Sequence, residues 1–229
     1  MRWLQTFTGK IVDIENPTPE MIDIQDIAHA LSMSCRFGGH CRDFYSVAEH
    51  SLLVETMGRP MAREIERWKP GHERLPDKDH DRLGLILLMH DAAEAYTGDL
   101  TTPVKRTLDG FAGKVPSQLY LSPTIELERR WLSAIGRAFG LGEALNDLPP
   151  VVQEADQQAL SVEVVSLFNP VRLEWWTDRQ RPVPGTKVDY MIMCHPPAEA
   201  RRRLLDRFWI LHDRLHGWPG WREAGKVQS

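Results

Sequence analysis

The stretch LGLILLMHDAAEAYTGDL, residues 83–100, decides how the rest of this sequence folds. Its first seven residues are apolar almost all round, which is typical of a helix that is buried on every side. Gly98 marks the predicted end of that helix. His90 and Asp91 therefore fall inside a buried helix, where a carboxylate is stable only if it is paired or bound to a metal. Taken alone, the dipeptide fits a salt-bridged core pair as well as a metal site.

The composition is that of a globular protein with one large domain, or two small ones at most, and we expect a single domain over residues 1–229. A net charge of −4 argues against a protein that coats nucleic acid polymers. The first ten residues lack the apolar run of a signal peptide, and no segment reaches the roughly 20 apolar residues of a membrane span. Cys35, Cys41 and Cys194 form no CxxC pair, which argues against a disulfide framework or a thiolate zinc site. We therefore expect a cytoplasmic protein.

Hydrophobic periodicity predicts further helices and very little strand. Asp23 is a candidate N-cap for the first of them, and Ile125 is expected to face inward in the third. These helices are expected over residues 23–34, 43–56, 124–139, 151–168 and 197–215.

The segments between these helices are predicted to be irregular. Residues 58–81 form a polar insertion with one short helix around 62–68, and its charges, with His72 and His80, are interpreted as solvated rather than metal-binding. Thr102 and Pro103 are expected to turn the chain. The remaining loops are expected over residues 109–123, 169–196 (with Trp175 and Trp176) and the tail 217–229.

Four metal-ligand residue types are predicted to lie on inward helical faces. His50 shares a stripe with apolar residues, and Asp156 lies on an apolar face with no basic residue within a turn. With His90 and Asp91 they provide two imidazoles and two carboxylates, a mixed set that suits a divalent metal of intermediate hardness. A bound metal lowers the pKa of water and supplies a nucleophile near neutral pH.

Other polar residues are expected around the same point. Glu94 lies one turn beyond Asp91 and could position a water or shuttle its proton. Asp99, just past the helix end, could protonate a leaving oxygen. Arg36, His40 and Lys105 could donate to phosphate oxygens.

The order His50 … His90-Asp91 … Asp156 resembles that of the HD-domain metal-dependent phosphohydrolases. The stretches DIAHALSMSCRFGGHCRDFYSVAEHSLLV (residues 26–54) and HDAAEAYTGDLTTPVK (residues 90–105) resemble the subgroup of 5′-deoxynucleotidases and phage deoxynucleoside triphosphate hydrolases. The resemblance covers about residues 5–168 and weakens in 58–81 and in the C-terminal extension 169–229.

The resemblance implies an all-α, HD-domain helical bundle with one divalent transition metal (Co, Mn, Zn, Ni or Fe), and additional Mg on the substrate phosphates. In that pattern His50, His90, Asp91 and Asp156 are the metal ligands. Glu94 and Asp99 are the catalytic acids, and Arg36 and Lys105 hold phosphate. The residues expected to border the nucleoside are Ile24, Phe37 and Tyr96.

The expected activity is hydrolysis of deoxynucleotide phosphates, with a dNTP such as dATP slightly preferred over a dNMP. The alternatives are a 5′-deoxynucleotidase, a phosphodiesterase or alarmone hydrolase on the same fold, and a metal-stabilised nucleotide-binding module without turnover. Glu94, Asp99, Arg36 and Lys105 argue against the last of these. We expect a homo-oligomer, a dimer or hexamer, in the cytoplasm of a bacterium or a phage-infected cell.

Overall fold

The structure, a computed structural model, describes residues 2–68, 77–112, 122–168 and 190–217. It is a helical bundle with one small hairpin, which confirms the all-α prediction. The hairpin pairs β1 (Trp3–Gln5) and β2 (Ile11–Asp13) antiparallel. The helices are α1 (Ile24–Met33), α2 (Val47–Trp68), α3 (Asp77–Met89), α4 (Glu94–Thr97), α5 (Thr102–Ala112), α6 (Pro123–Ala138), α7 (Pro150–Leu167) and α8 (Pro197–His216).

Helix α3 forms the centre of the bundle, as its all-round apolar sequence predicts. Leu85, Leu87, Leu88 and Met89 are all completely buried. Helix α3 packs against α2 and α8, and α2 packs in turn against α7. Each of these side chains contributes about 1.5–3 kcal/mol through burial, so the centre of the bundle is held firmly where the candidate site begins.

The prediction that His90 and Asp91 lie inside one long helix is wrong, because α3 ends at Met89. A tight turn follows, in which the amide of Ala92 donates to Met89 O at 3.0 Å and that of Glu94 donates to Asp91 O at 3.0 Å. The short helix α4 then ends at Gly98, where the chain takes a positive φ of 81°. The dipeptide therefore lies on a turn between two helices, which lets both side chains point the same way.

The predicted break after residue 56 is also wrong, because α2 continues to Trp68 with Pro60 inside it. The short helix expected around 62–68 is the end of α2. The buried side chains Val54, Met57 and Ala62 continue the inward face at helical spacing. That apolar stripe outweighs the local signals of glycine and proline.

The sequence analysis interpreted the charges at the start of α3 as solvated, and for two of these residues the structure contradicts it. His80 and Asp81 are buried, and Arg59 of α2 lies 3.3 Å from a carboxylate oxygen of Asp81. Residues 69–76, which include His72, lie outside the described residues.

The remaining differences are local. Thr102 and Pro103 begin helix α5 instead of a turn, and Ile125 is 60% exposed rather than inward. Asp23 does cap α1, accepting from Gln25 N at 3.0 Å. The predictions for residues 113–121, 169–189 and 218–229, including Trp175 and Trp176, lie outside the described residues.

Within the described ranges, no helix has both the length and the apolar character needed to cross a membrane.

Gly58 allows the close contact of α2 with α3 and α7. A Cβ at this position would lie 2.4 Å from Leu87 Cδ2 and 3.2 Å from Ala155 Cβ. We expect Gly58→Ala to destabilise the fold by about 1–3 kcal/mol, although alanine favours a helix by up to about 1 kcal/mol over glycine. Urea unfolding measures the difference.

Gly110→Ala in α5 is the matched control, because nothing lies within 4 Å of its added Cβ. We expect this variant to be as stable as the wild type or more stable. Equal stability of the Gly58→Ala variant and the wild type would contradict the packing argument.

Candidate metal centre and active site

His50, His90 and Asp91 meet where α2 crosses the turn after α3. Their ligand atoms all lie within 4.8 Å of one another, close enough to share one metal ion. His50 Nε2 lies 3.4 Å from Asp91 Oδ2, and His90 Nε2 lies 3.3 Å from the same oxygen. The packing of α2 on α3 thus joins residues that are 40 positions apart in the chain.

Each imidazole is oriented by a hydrogen bond from its other nitrogen. His90 Nδ1 lies 2.8 Å from the carbonyl oxygen of Leu87, and His50 Nδ1 lies 2.6 Å from Glu163 Oε1. A carbonyl or an ionised carboxylate can only accept, so each Nδ1 carries a hydrogen, and Nε2 is the nitrogen that presents a lone pair when the imidazole is neutral. Both Nε2 atoms are buried without a hydrogen-bond partner among the described residues. Unpartnered lone pairs of this kind fit a metal ion.

Asp156 of α7 supplies the fourth predicted ligand type. Its Oδ1 lies 3.2 Å from His50 Nε2, and its side chain is 48% exposed. This carboxylate therefore stands at the edge between the buried cluster and the open cavity.

The carboxylates around the imidazoles favour a positive charge at the cluster and therefore raise the pKa values of both histidines. Burial and the charge of Arg36 act to lower the pKa of His50, but Glu163, Asp156 and Asp91 outweigh them and raise it well above its ordinary value. Burial opposes a rise in the pKa of His90 as well, and Asp91 overcomes it. A divalent cation would supply that positive charge without protonating the imidazoles.

Glu94 lies one helical turn beyond Asp91 and is buried, with Oε2 lacking a partner among the described residues. Burial, with Asp91 and Asp99 nearby, raises the pKa of Glu94 well above its ordinary value. Burial also raises the pKa of Asp99, with Asp91 adding to the rise against the charge of Arg36. Perturbed carboxyl groups in a cleft are typical of acid–base chemistry.

Two cations at the site are already held by carboxylates. Arg36 lies 3.1 Å from Glu163 Oε2 and 3.7 Å from Asp91 Oδ2. Lys105 Nζ lies 2.8 Å from Glu128 Oε1 and 3.5 Å from Glu94 Oε1. Both side chains are thereby fixed in place at the wall of the cavity.

An open cavity of about 700 Å³ adjoins the cluster, within the range of small-molecule sites. Its polar wall holds Arg36, Lys105, Arg106, His40 and the four acids. Its apolar wall includes Phe37 and Phe168, whose rings meet edge to face with centroids 5.0 Å apart. Phe37 takes a φ of 59°, a conformation that side chains rarely adopt and that functional sites favour. The acids of the polar wall are Asp91, Glu94, Asp99 and Asp156.

The structure does not bring Ile24 and Tyr96 to the described lining of this cavity. Ile24 is buried in the core as the first residue of α1. Tyr96 stacks on Trp131 with ring centroids 3.9 Å apart and lines a different cavity beside β1. All other predicted site residues lie in the cluster or around the cavity.

Three residues of the site were not identified from the sequence. Glu163 lies two turns after Asp156 on the same face of α7, so its spacing carried a signal. Phe168 is the capping residue at the end of α7, and Glu128 lies on α6. No pattern in the sequence connects Phe168 with the cavity or Glu128 with Lys105, because both contacts arise only through the packing of helices.

Comparison with known proteins gives matches of different extent. Residues 37–115 match the family model described as 5′-deoxynucleotidase YfbR-like. An uncharacterized protein of Rhodobacter capsulatus is 31% identical over 219 residues, covering 94% of this chain and 98% of its own. The uncharacterized protein YfdR of Escherichia coli is 34% identical over 111 residues, covering 48% of this chain and 51% of its own.

A protein named as a 5′-deoxynucleotidase, from Pasteurella multocida, is 35% identical over 60 residues, covering 26% of this chain and 28% of its own. The family-model match includes the candidate ligands His50, His90 and Asp91 together with Glu94, Asp99 and Lys105. With the nearly full-length match to the Rhodobacter capsulatus protein, these findings show that the chain belongs to the HD-domain phosphohydrolase family.

Proposed function

We propose that this protein hydrolyses the phosphate ester of deoxynucleotides with the help of one divalent metal ion. The observation that carries the proposal is the pair of buried His50 and His90 Nε2 atoms, which have no hydrogen-bond partner among the described residues. They lie beside Asp91, which lines a cavity with cationic and aromatic walls. The naming of a relative as a 5′-deoxynucleotidase supports the same substrate class.

His50, His90, Asp91 and Asp156 would hold the metal through two imidazole nitrogens and two carboxylates. A divalent ion bound there would supply Lewis-acid chemistry, lowering the pKa of water and offsetting the negative charge of a phosphate. This nitrogen and oxygen donor set is compatible with Mn, Fe, Co, Ni or Zn.

Glu94 is the group that we assign to moving a proton from the attacking water. Its raised pKa brings its proton affinity closer to that needed near neutral pH. Lys105, 3.5 Å from Glu94 Oε1, holds the carboxyl group in place and favours the ionised form that can accept the proton. Asp99, with its raised pKa, would donate a proton to the leaving oxygen.

The charges of the cavity favour a monophosphate over a triphosphate. Arg36 and Lys105 are already paired with carboxylates, and four acids share the wall with them. Arg106 has no ion pair within the described part of the chain and lines the same wall. A monophosphate carries a charge of about −1.5 to −2, which this arrangement and a divalent metal can balance. Hydrolysis of a dNTP such as dATP, which the sequence analysis slightly preferred, stays a prediction.

Phe37 and Phe168 would contact the nucleoside. Their edge-to-face pair offers an apolar surface on the same cavity as the charged cluster, and aromatic faces bind bases with little sequence preference. The exposed His40 stands at the same wall. The dimer or hexamer, the cytoplasmic location, the single-domain organisation and the additional Mg stay predictions.

The test is a product assay on purified protein, stripped of metal and reloaded with each candidate ion. We expect release of inorganic phosphate from one or more dNMPs. Triphosphate release from dNTPs would restore the triphosphohydrolase reading. Cleavage of cyclic nucleotides or alarmones with neither dNMP nor dNTP hydrolysis would favour the rival enzymes on this fold. No turnover of any substrate by metal-loaded protein would favour the binding module.

Replacement of Glu94 should separate catalysis from metal binding. We expect Glu94→Gln to lower kcat about 10²- to 10⁴-fold because it removes the proton acceptor, with metal affinity retained. Asp91→Asn is the matched contrast: it removes a carboxylate one turn away and should abolish metal binding and activity together. Titration calorimetry and steady-state kinetics provide both readouts. Full turnover by the Glu94→Gln variant would exclude the role assigned to Glu94.

A further inference from the structure

Glu163 is a fully buried carboxylate that contacts two different parts of the candidate site. Its Oε1 accepts from His50 Nδ1 at 2.6 Å, and its Oε2 accepts from Arg36 Nη2 at 3.1 Å. The side chain is 0% exposed. Burying a charged carboxylate is unfavourable unless it is hydrogen-bonded and paired, and these two contacts satisfy one oxygen each.

Glu163 is ionised in this setting. Its Oε2 lies 3.1 Å from the guanidinium of Arg36, a group that stays cationic in proteins, and this buried ion pair favours the carboxylate form. An ionised carboxylate can only accept a hydrogen bond, so it fixes the hydrogen of His50 on Nδ1. In the neutral imidazole, the form that binds a metal, the lone pair of His50 is then on Nε2, which faces Asp91 and Asp156.

The second contact restrains a competitor for Asp91. Arg36 Nη1 lies 3.7 Å from Asp91 Oδ2, the oxygen that also lies beside both Nε2 atoms. Arg36 is 0.6 Å closer to Glu163 than to Asp91, since the two distances are 3.1 Å and 3.7 Å. Without the charge of Glu163, the guanidinium would pair more closely with Asp91 and reduce the availability of that oxygen to a cation.

We propose that Glu163 is a positioning residue for the metal centre, which orients His50 and at the same time holds Arg36 away from Asp91. This inference rests on the proposed function only in that a divalent metal binds at His50, His90 and Asp91. Glu163 itself is not one of the candidate metal ligands, since its two oxygens contact His50 and Arg36.

The test measures Co²⁺ binding to metal-free full-length protein by titration calorimetry, without substrate. Glu163→Gln keeps an acceptor for His50 but removes the charge that attracts Arg36. We expect its Co²⁺ dissociation constant to rise about 10- to 100-fold, the usual effect of losing a group that orients a metal ligand.

Glu55→Gln is the matched control. Glu55 is also buried and paired with arginines, 2.6 Å from Arg207 and 3.4 Å from Arg59, away from the cluster. We expect this variant to bind Co²⁺ as the wild type does, whatever stability it loses in urea unfolding.

A double variant separates the two parts of the role. If Glu163 acts partly through Arg36, adding Arg36→Met to Glu163→Gln should recover part of the lost affinity, because no guanidinium then competes for Asp91. Wild-type affinity in Glu163→Gln, or an equal loss in Glu55→Gln, would overturn the positioning role. Absence of Co²⁺ binding by the wild-type protein would overturn the metal centre itself and this inference with it.

Discussion

Two imidazoles and two carboxylates lie within a few ångströms of one another where α2 meets the turn after α3. Bringing these groups together inside a protein is unfavourable without compensating positive charge. The compensation available from the chain is the guanidinium of Arg36 and the protons that the imidazoles would take up. A bound divalent ion would serve the same purpose. Because the grouping is unfavourable by itself, the apolar packing around the site must be tight enough to hold these side chains together.

The apolar core supplies that tightness. Helix α3 is buried on every side, and Gly58 lets α2 approach it closely enough to bring His50 to His90. The turn at His90 releases the chain from helical geometry so that the imidazole and the next carboxylate share one cavity. Around this fixed centre stand groups with perturbed proton affinities, Glu94 and Asp99, and cations that are already oriented by carboxylates.

The sequence predicted the helical class, because apolar periodicity reports which helix faces point inward. It also placed His50 and Asp156 on such faces, and in the structure His50 lies beside Asp91 and Asp156, while the metal role of the four residues stays a prediction. It misplaced the end of α2, since Gly58 and Pro60 are loop signals locally and tertiary packing overrode them. The sequence analysis placed His90 and Asp91 inside a helix. The turn that contains them is held in part by the contact of His90 Nδ1 with Leu87 O, and such a contact leaves no periodic pattern in the sequence. Glu163, Phe168 and Glu128 reach the site through helix packing, which a single sequence encodes only indirectly.

The central claim is that one divalent metal is bound through two imidazoles and carboxylates at this turn. X-ray absorption spectroscopy of the protein loaded with one equivalent of Co²⁺ tests it most directly. The account predicts a nearest shell of nitrogen and oxygen with scattering from two imidazole rings and no sulfur, and the loss of one ring in a His90→Ala variant. A sulfur ligand from Cys35, Cys41 or Cys194, or a shell without imidazole, would contradict it.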